Sequence, residues 1–398
     1  MFVEIIIVII LGIFIGIITG ITPGLHVNLV ATTLFSLSPI LLQYFNPLSL
    51  AVFIIALSVV HSFLDTIPSV YLGAPENENA LSVLPGQKML LKGQGHQAVK
   101  ITTLGTYIGM IVAILLIPIF ILTANSIYPV LKPYLVYILI ILMIYMIIKE
   151  EQKIWALFLF LISGTLGIVV FSIPNLNEPL FPMLSGLFGI SGLLLSFFEN
   201  TKIPEQTIDN TIKLKPDILL KAILGSSIAV FFIQFFPGLG PAQGAVISNQ
   251  IVKVRDKGYL ALVGAMGTMS VVFSLVTFYT LGKAKDGTIV VISKLLEINE
   301  SSFWLLIISM LISGSIAVFI TLWFSKTFSK IIVNVNYKLL VILIIIFIFS
   351  MSLLINGWIG IIILITSTAI GVIPPVKKVG RNHLMGCLIL PVILYFVL

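Results

Sequence analysis

Two short stretches interrupt otherwise apolar runs. They are Ile21-Thr22-Pro23-Gly24-Leu25-His26-Val27-Asn28 near the start and Phe236-Pro237-Gly238-Leu239-Gly240-Pro241-Ala242-Gln243-Gly244 just past the middle. Pro lacks a backbone donor and Gly loosens the chain, so a helix stops and restarts at each. In lipid the freed peptide groups have no water to bond. Such a break survives only where protein buries it or it lines a polar cavity. One break alone reads equally well as a kink at a packing contact. Two matched breaks in two halves point to a transporter's binding site.

Composition fixes the solvent. Of 398 residues, 59% are hydrophobic and 9% charged, and the mean hydropathy is +1.19. Soluble domains carry roughly 25% charged residues. Soluble enzymes are therefore excluded, and the fold class is an all-α polytopic membrane protein. The net charge of +7 then reports topology, not nucleic-acid binding. The single Cys387 permits no intramolecular disulfide. The first run starts beside Glu4 without a basic flank and reads as a retained helix, not a signal peptide.

Apolar runs of near-spanning length fall at 4–22, 25–42, 48–66, 101–123, 134–148, 154–173 and 181–198. After a polar linker at 199–217 they recur at 218–236, 239–252, 259–281, 301–325, 339–355, 357–373 and 384–398. The breaks separate the first two runs of each set. Tyr71-Leu72-Gly73 and Tyr279-Thr280-Leu281-Gly282 occupy matching places. This predicts two repeats, 1–198 and 218–398, each a broken-helix (re-entrant) hairpin plus about five transmembrane helices. With the linker placed in the cytoplasm, only Lys132, Lys283, Lys285 and Lys294 of the 22 Lys and Arg fall outside. Loop 43–47 is uncharged where 253–257 carries three cations. The positive-inside rule then makes the repeats inverted in topology, with both termini extracytoplasmic in the cell membrane.

Each break offers a helix N-terminus carrying roughly half an elementary charge, an anion site. The predicted substrate-binding residues are Pro23, Gly24, His26, Asn28, Pro237, Gly238, Gly240, Gln243 and Ser248. The glycines allow close approach and the polar side chains orient the anion. Asn28 or Gln243 alone also reads as an interhelical hydrogen bond. Asp65, Glu76 and Asn77 lie in an acidic stretch between apolar runs, where Na+ or a proton can bind. His61 is the expected partner of Asp65. The stretch 74–100 reads as re-entrant or as a solvated loop. Gly189-Ile190-Ser191-Gly192 matches an intramembrane protease pattern, but no base is in reach of Ser191, and close packing explains it better. No zinc, Walker or dinucleotide motif is present. No cofactor is expected beyond a possible coupling Na+.

The Pro-Gly-Leu breaks, Leu84-Pro85-Gly86-Gln87, Lys92-Gly93-Gln94-Gly95-His96-Gln97-Ala98 and Leu187-Phe188-Gly189-Ile190-Ser191 resemble the large membrane subunit of tripartite tricarboxylate transporters, the TctA family. The chain looks like a divergent, short member. Its Tyr71-Leu72-Gly73-Ala74 stands where Tyr-Gly-Gly-Ser is usual. The resemblance implies cation-coupled uptake of a small organic anion, with a small membrane subunit and an extracytoplasmic binding protein as partners. The alternative reading is a flippase for a phosphorylated polyprenyl lipid, which the same anion site would serve.

Overall fold

The computed structural model describes residues 2–22, 27–73, 83–174, 176, 178–198, 203–209, 211–236, 240–333 and 337–397. Among these every regular element is helical. The first half contains α1 (Phe2–Ile21), α2 (Val27–Ser36), α3 (Ser38–Leu41), α4 (Pro47–Leu64), α5 (Val83–Leu90), α6 (Gly95–Leu131), α7 (Leu135–Lys149), α8 (Lys153–Phe171), α9 (Leu180–Leu184) and α10 (Ser191–Phe198). The second contains α11 (Pro216–Ile233), α12 (Pro241–Val252), α13 (Asp256–Leu281), α14 (Gly287–Leu295), α15 (Glu300–Ile332), α16 (Tyr337–Lys377) and α17 (Gly386–Val397). A π-helical turn, Pro68–Leu72, follows α4, and another, Ser185–Ile190, joins α9 to α10. Eight helical stretches among the described residues are long and apolar enough to cross a membrane.

α13 is buried along its whole apolar window and α4 along most of it. Phe14, Phe158, Phe319 and Ile365 on other helices face outward, as lipid contact requires. Small residues let backbones touch, the usual device where lipid removes the hydrophobic drive between helices. A Cβ on Gly12 would lie 2.7 Å from the Phe53 carbonyl oxygen, and one on Gly109 would lie 2.7 Å from Ala265 Cα. These contacts seat α1 on α4 and α6 on α13.

Packing partners come in exchanged pairs. α1 lies on α4, and α11 on α13. α6 packs on α13, and α15 on α4. α5 touches α13, and α14 touches α4. α8 packs on α17, and α16 on the α9–α10 segment. Gly73 and Gly282 end matching segments in the same left-handed conformation, φ 67° and 65°.

Several boundaries differ from expectation. α6 starts at Gly95, not 101, because polar His96, Gln97 and Lys100 are helical and buried. It runs through Pro118 and Pro129 to Leu131, well past 123. Neither α5 nor α14 stands among the expected runs. α16 contains Gly357 at φ 60°, ψ −154°, outside helical geometry, so it is two helices with their junction where the runs divide.

Candidate functional site

The second break is described up to Phe236 and again from Gly240. Residues 237–239, including the predicted Pro237 and Gly238, lie outside the described residues. Gly240 is extended and precedes Pro241 at the first turn of α12, where a missing N–H costs nothing. Gln243 Oε1 accepts the Gly240 N–H at 2.9 Å. The predicted anion ligand is therefore also the side chain that starts the helix. Ser248 is buried, its Oγ lacks a hydrogen-bond partner, and a Cβ on Gly225 of α11 would lie 2.6 Å from it. Its hydroxyl thus fills the α11–α12 seam.

Gln243 also lines a narrow space with Met143, Val246 and Asn382. Val246 and Asn382 border a second cavity of about 310 Å³ as well. Its walls carry Lys88 of α5, Arg255 before α13, and Arg381, with one acid, Asp256, and the amides of Asn249 and Asn382. Three cations against one acid make it electropositive. Lys88 and Arg255 are exposed, whereas Arg381 is only 8% exposed. Arg381 Nη1 donates to the Phe188 carbonyl at 3.1 Å. That carbonyl belongs to the π-helical turn, a device frequent at functional sites. Ser191 of the same motif donates its hydroxyl to the Leu187 carbonyl at 2.7 Å. The π-helical turn therefore positions Arg381, a residue missed as a candidate because it lies outside the apolar runs, through the Phe188 carbonyl.

At the first break, Pro23, Gly24 and His26 lie outside the described residues. So do Glu76 and Asn77. Asn28 lies in α2. Asp65 caps the C-terminus of α4 at 2% exposure, its N–H bonded to the His61 carbonyl at 2.9 Å. His61 Nδ1 lies 3.0 Å from Thr19 Oγ1 and so ties α4 to α1. Within the π-helical turn Pro68–Leu72, Tyr71 Oη donates to the Ser325 carbonyl at 3.0 Å and sits 2.6 Å from Ser329 Oγ. His96 Nδ1 lies 2.8 Å from Ser325 Oγ.

The Lys92-to-Ala98 motif holds the linker between halves. Gln206 accepts the Gly95 N–H at 2.9 Å and donates to the Leu90 carbonyl at 3.0 Å. Lys100 donates to the carbonyls of Asp209 and Thr211. The Thr211 N–H, first, and the Lys213 amine hold the Asp209 carboxyl well below the usual range.

On the α13–α14 loop, Lys285 donates its amine to the Ile233 carbonyl at the end of α11. The Lys285 and Asp286 N–H groups donate to Ser274 Oγ at 3.2 and 2.8 Å. Among the described residues no three His, Cys, Asp or Glu side chains gather as a metal site.

The family model for the tripartite tricarboxylate transporter TctA family matches residues 6–386. An uncharacterized protein of Methanocaldococcus jannaschii, MJ1079, is 32% identical over 379 residues, covering 91% of this chain and 92% of that protein. No solved structure matches.

Proposed function

Because this chain belongs to the tripartite tricarboxylate transporter TctA family, we propose that it is a secondary active transporter of a small carboxylate anion, coupled to Na+ or H+. The observation that carries the reading is the electropositive cavity beside α12, joined through Val246 and Asn382 to the start of the broken helix at Gln243. Charge-assisted hydrogen bonds from guanidinium suit carboxylates, and an open cationic cavity draws anions toward the break. Asp65, buried beside a π-helical turn, is the first-half group assigned to the coupling cation, since buried acids within spans are costly. A small membrane subunit and an extracytoplasmic binding protein complete the system by family analogy. The exchanged helix pairs support two repeats, 1–198 and 218–398, related by a two-fold axis, and the break tips of such repeats converge on the site.

Proteoliposomes holding the full chain test this. Accumulation of radiolabelled citrate, succinate or lactate under an imposed Na+ or pH gradient is the expected result. No accumulation of any of them, together with transfer of a polyprenyl phosphate between leaflets, would replace this reading with lipid flipping.

A further inference from the structure

The carbonyl end of a broken helix is a cation site in waiting. Its unpaired C=O groups carry roughly half a negative elementary charge, and transporters place coupling cations there. At the end of α11 the acceptors are the Ile233 carbonyl and the Gln234 side chain. The Ile233 carbonyl accepts the Phe236 N–H at 3.0 Å and, in addition, the Lys285 amine. Gln234, 5% exposed, donates Nε2 to the Ser270 carbonyl at 3.0 Å, while its Oε1 is buried without a hydrogen-bond partner. The cation at this end is thus tethered, delivered by a loop that Ser274 Oγ pins through two backbone N–H groups.

We propose that Lys285 carries a coupling proton of this transporter, its ammonium standing where a free cation would otherwise cap α11 beside the second break. The inference rests on the transport reading above and adds, alongside Asp65 in the first half, a second coupling group in the second half whose ion is the proton. The protonated amine offsets the carbonyl end of α11, so an anion at the adjoining break is held. The neutral amine leaves that end negative, and the anion is repelled. The lone pair takes a proton from water on one side and returns it to water on the other. Burial pulls Lys285 down to about 7, partly offset by Asp286. Among the described residues, both charged and polar groups lie around it. Asp286 adjoins it, with Oδ1 taken by the Thr288 N–H at 2.9 Å. Lys283 is turned to Tyr128 Oη on α6 at 2.6 Å. α11 presents the Ile233 carbonyl, and α13 presents Ser274.

The test uses proteoliposomes with equal Na+ on both sides and an imposed pH gradient, with radiolabelled citrate, succinate and lactate as probes. The readout is the steady-state accumulation ratio, which a slower carrier still reports. One pH unit supports up to about tenfold accumulation per proton carried. Wild type should accumulate at least one probe. Lys285→Arg, always charged, and Lys285→Met, never charged, should both drop to simple equilibration. A residue that only caps α11 would tolerate Arg, so gradient-driven accumulation by Lys285→Arg overturns the proposal. Wild-type accumulation under a Na+ gradient but never a pH gradient overturns it too, leaving the transport reading intact. No accumulation under either gradient removes both. Acetic anhydride labelling of wild type across pH, read by mass spectrometry, should give half-modification of Lys285 near pH 7. A midpoint near 10 overturns the proposal independently of transport.

Discussion

Arg381 is the residue whose loss should cost the cavity most. Its guanidinium is buried and fixed by the Phe188 carbonyl, so its geometry is set before any anion arrives. A hydrogen bond to a charged group contributes about 1.5–3 kcal/mol. Arg381→Ala should therefore raise the apparent KM for the transported carboxylate by about tenfold or more. Arg381→Lys should recover only part, because a single ammonium cannot both reach Phe188 and present a planar fork. Lys88 is exposed in the same cavity. Its contribution is screened, so Lys88→Ala should change KM less, and in a manner that vanishes as salt rises. Equal KM values for Arg381→Ala and wild type would remove the cavity from the anion's path. From the sequence, Arg381 looked like one cytoplasmic charge among many. Its burial depends on a π-helical turn from a distant segment, and no local pattern announces that contact.

At the scale of elements, the corner between α5 and α6 shows how a polar stretch conceals a helix start from the sequence. His96, Gln97 and Lys100 break the apolar period, so the sequence alone places the start of α6 at 101. Their partners arrive from far along the chain: Ser325 for His96, and the carbonyls of 209 and 211 for Lys100. A polar helix start can be buried once such partners exist. Gly93 makes the docking possible, with φ +71° and room for the Glu205 carbonyl oxygen, which a Cβ would approach to 2.6 Å. Gly93→Ala meets both penalties. Left-handed geometry alone costs a non-Gly residue about 1–2 kcal/mol. The variant should lower the melting temperature and release the linker, read as faster cleavage within 203–215 by limited proteolysis. An unchanged cleavage rate would mean that the clamp is not what orders the linker. By contrast α4, α8, α11, α13 and the junction at Gly357 were legible, because apolar length and Gly or Pro punctuation are local signals.

For the whole molecule, the open question is how the halves are related across the membrane. The exchanged pairs, α6 on α13 against α15 on α4 and α8 on α17 against α16 on α9–α10, are the pattern a two-fold axis generates. Contacts alone do not say whether that axis lies in the membrane plane or along its normal. We infer the in-plane axis from charge: segment 253–257 carries Lys253, Arg255 and Lys257, whereas 43–47 carries none. Both precede a long buried helix, α13 and α4, after a short arm, α12 and α2–α3. A parallel repeat would put the two segments on one face, and the positive-inside bias would then act on both alike. An inverted repeat puts them on opposite faces, and only the cytoplasmic one collects cations. Gln43 and Arg255 are both exposed, and the native Cys387 is buried and silent to aqueous reagents. Single Gln43→Cys and Arg255→Cys variants in intact cells should therefore differ. A membrane-impermeant maleimide should label position 43 at once and position 255 only after permeabilisation. Labelling of both before permeabilisation, or of neither, would overturn the inverted arrangement and with it the convergence of the two breaks on one site.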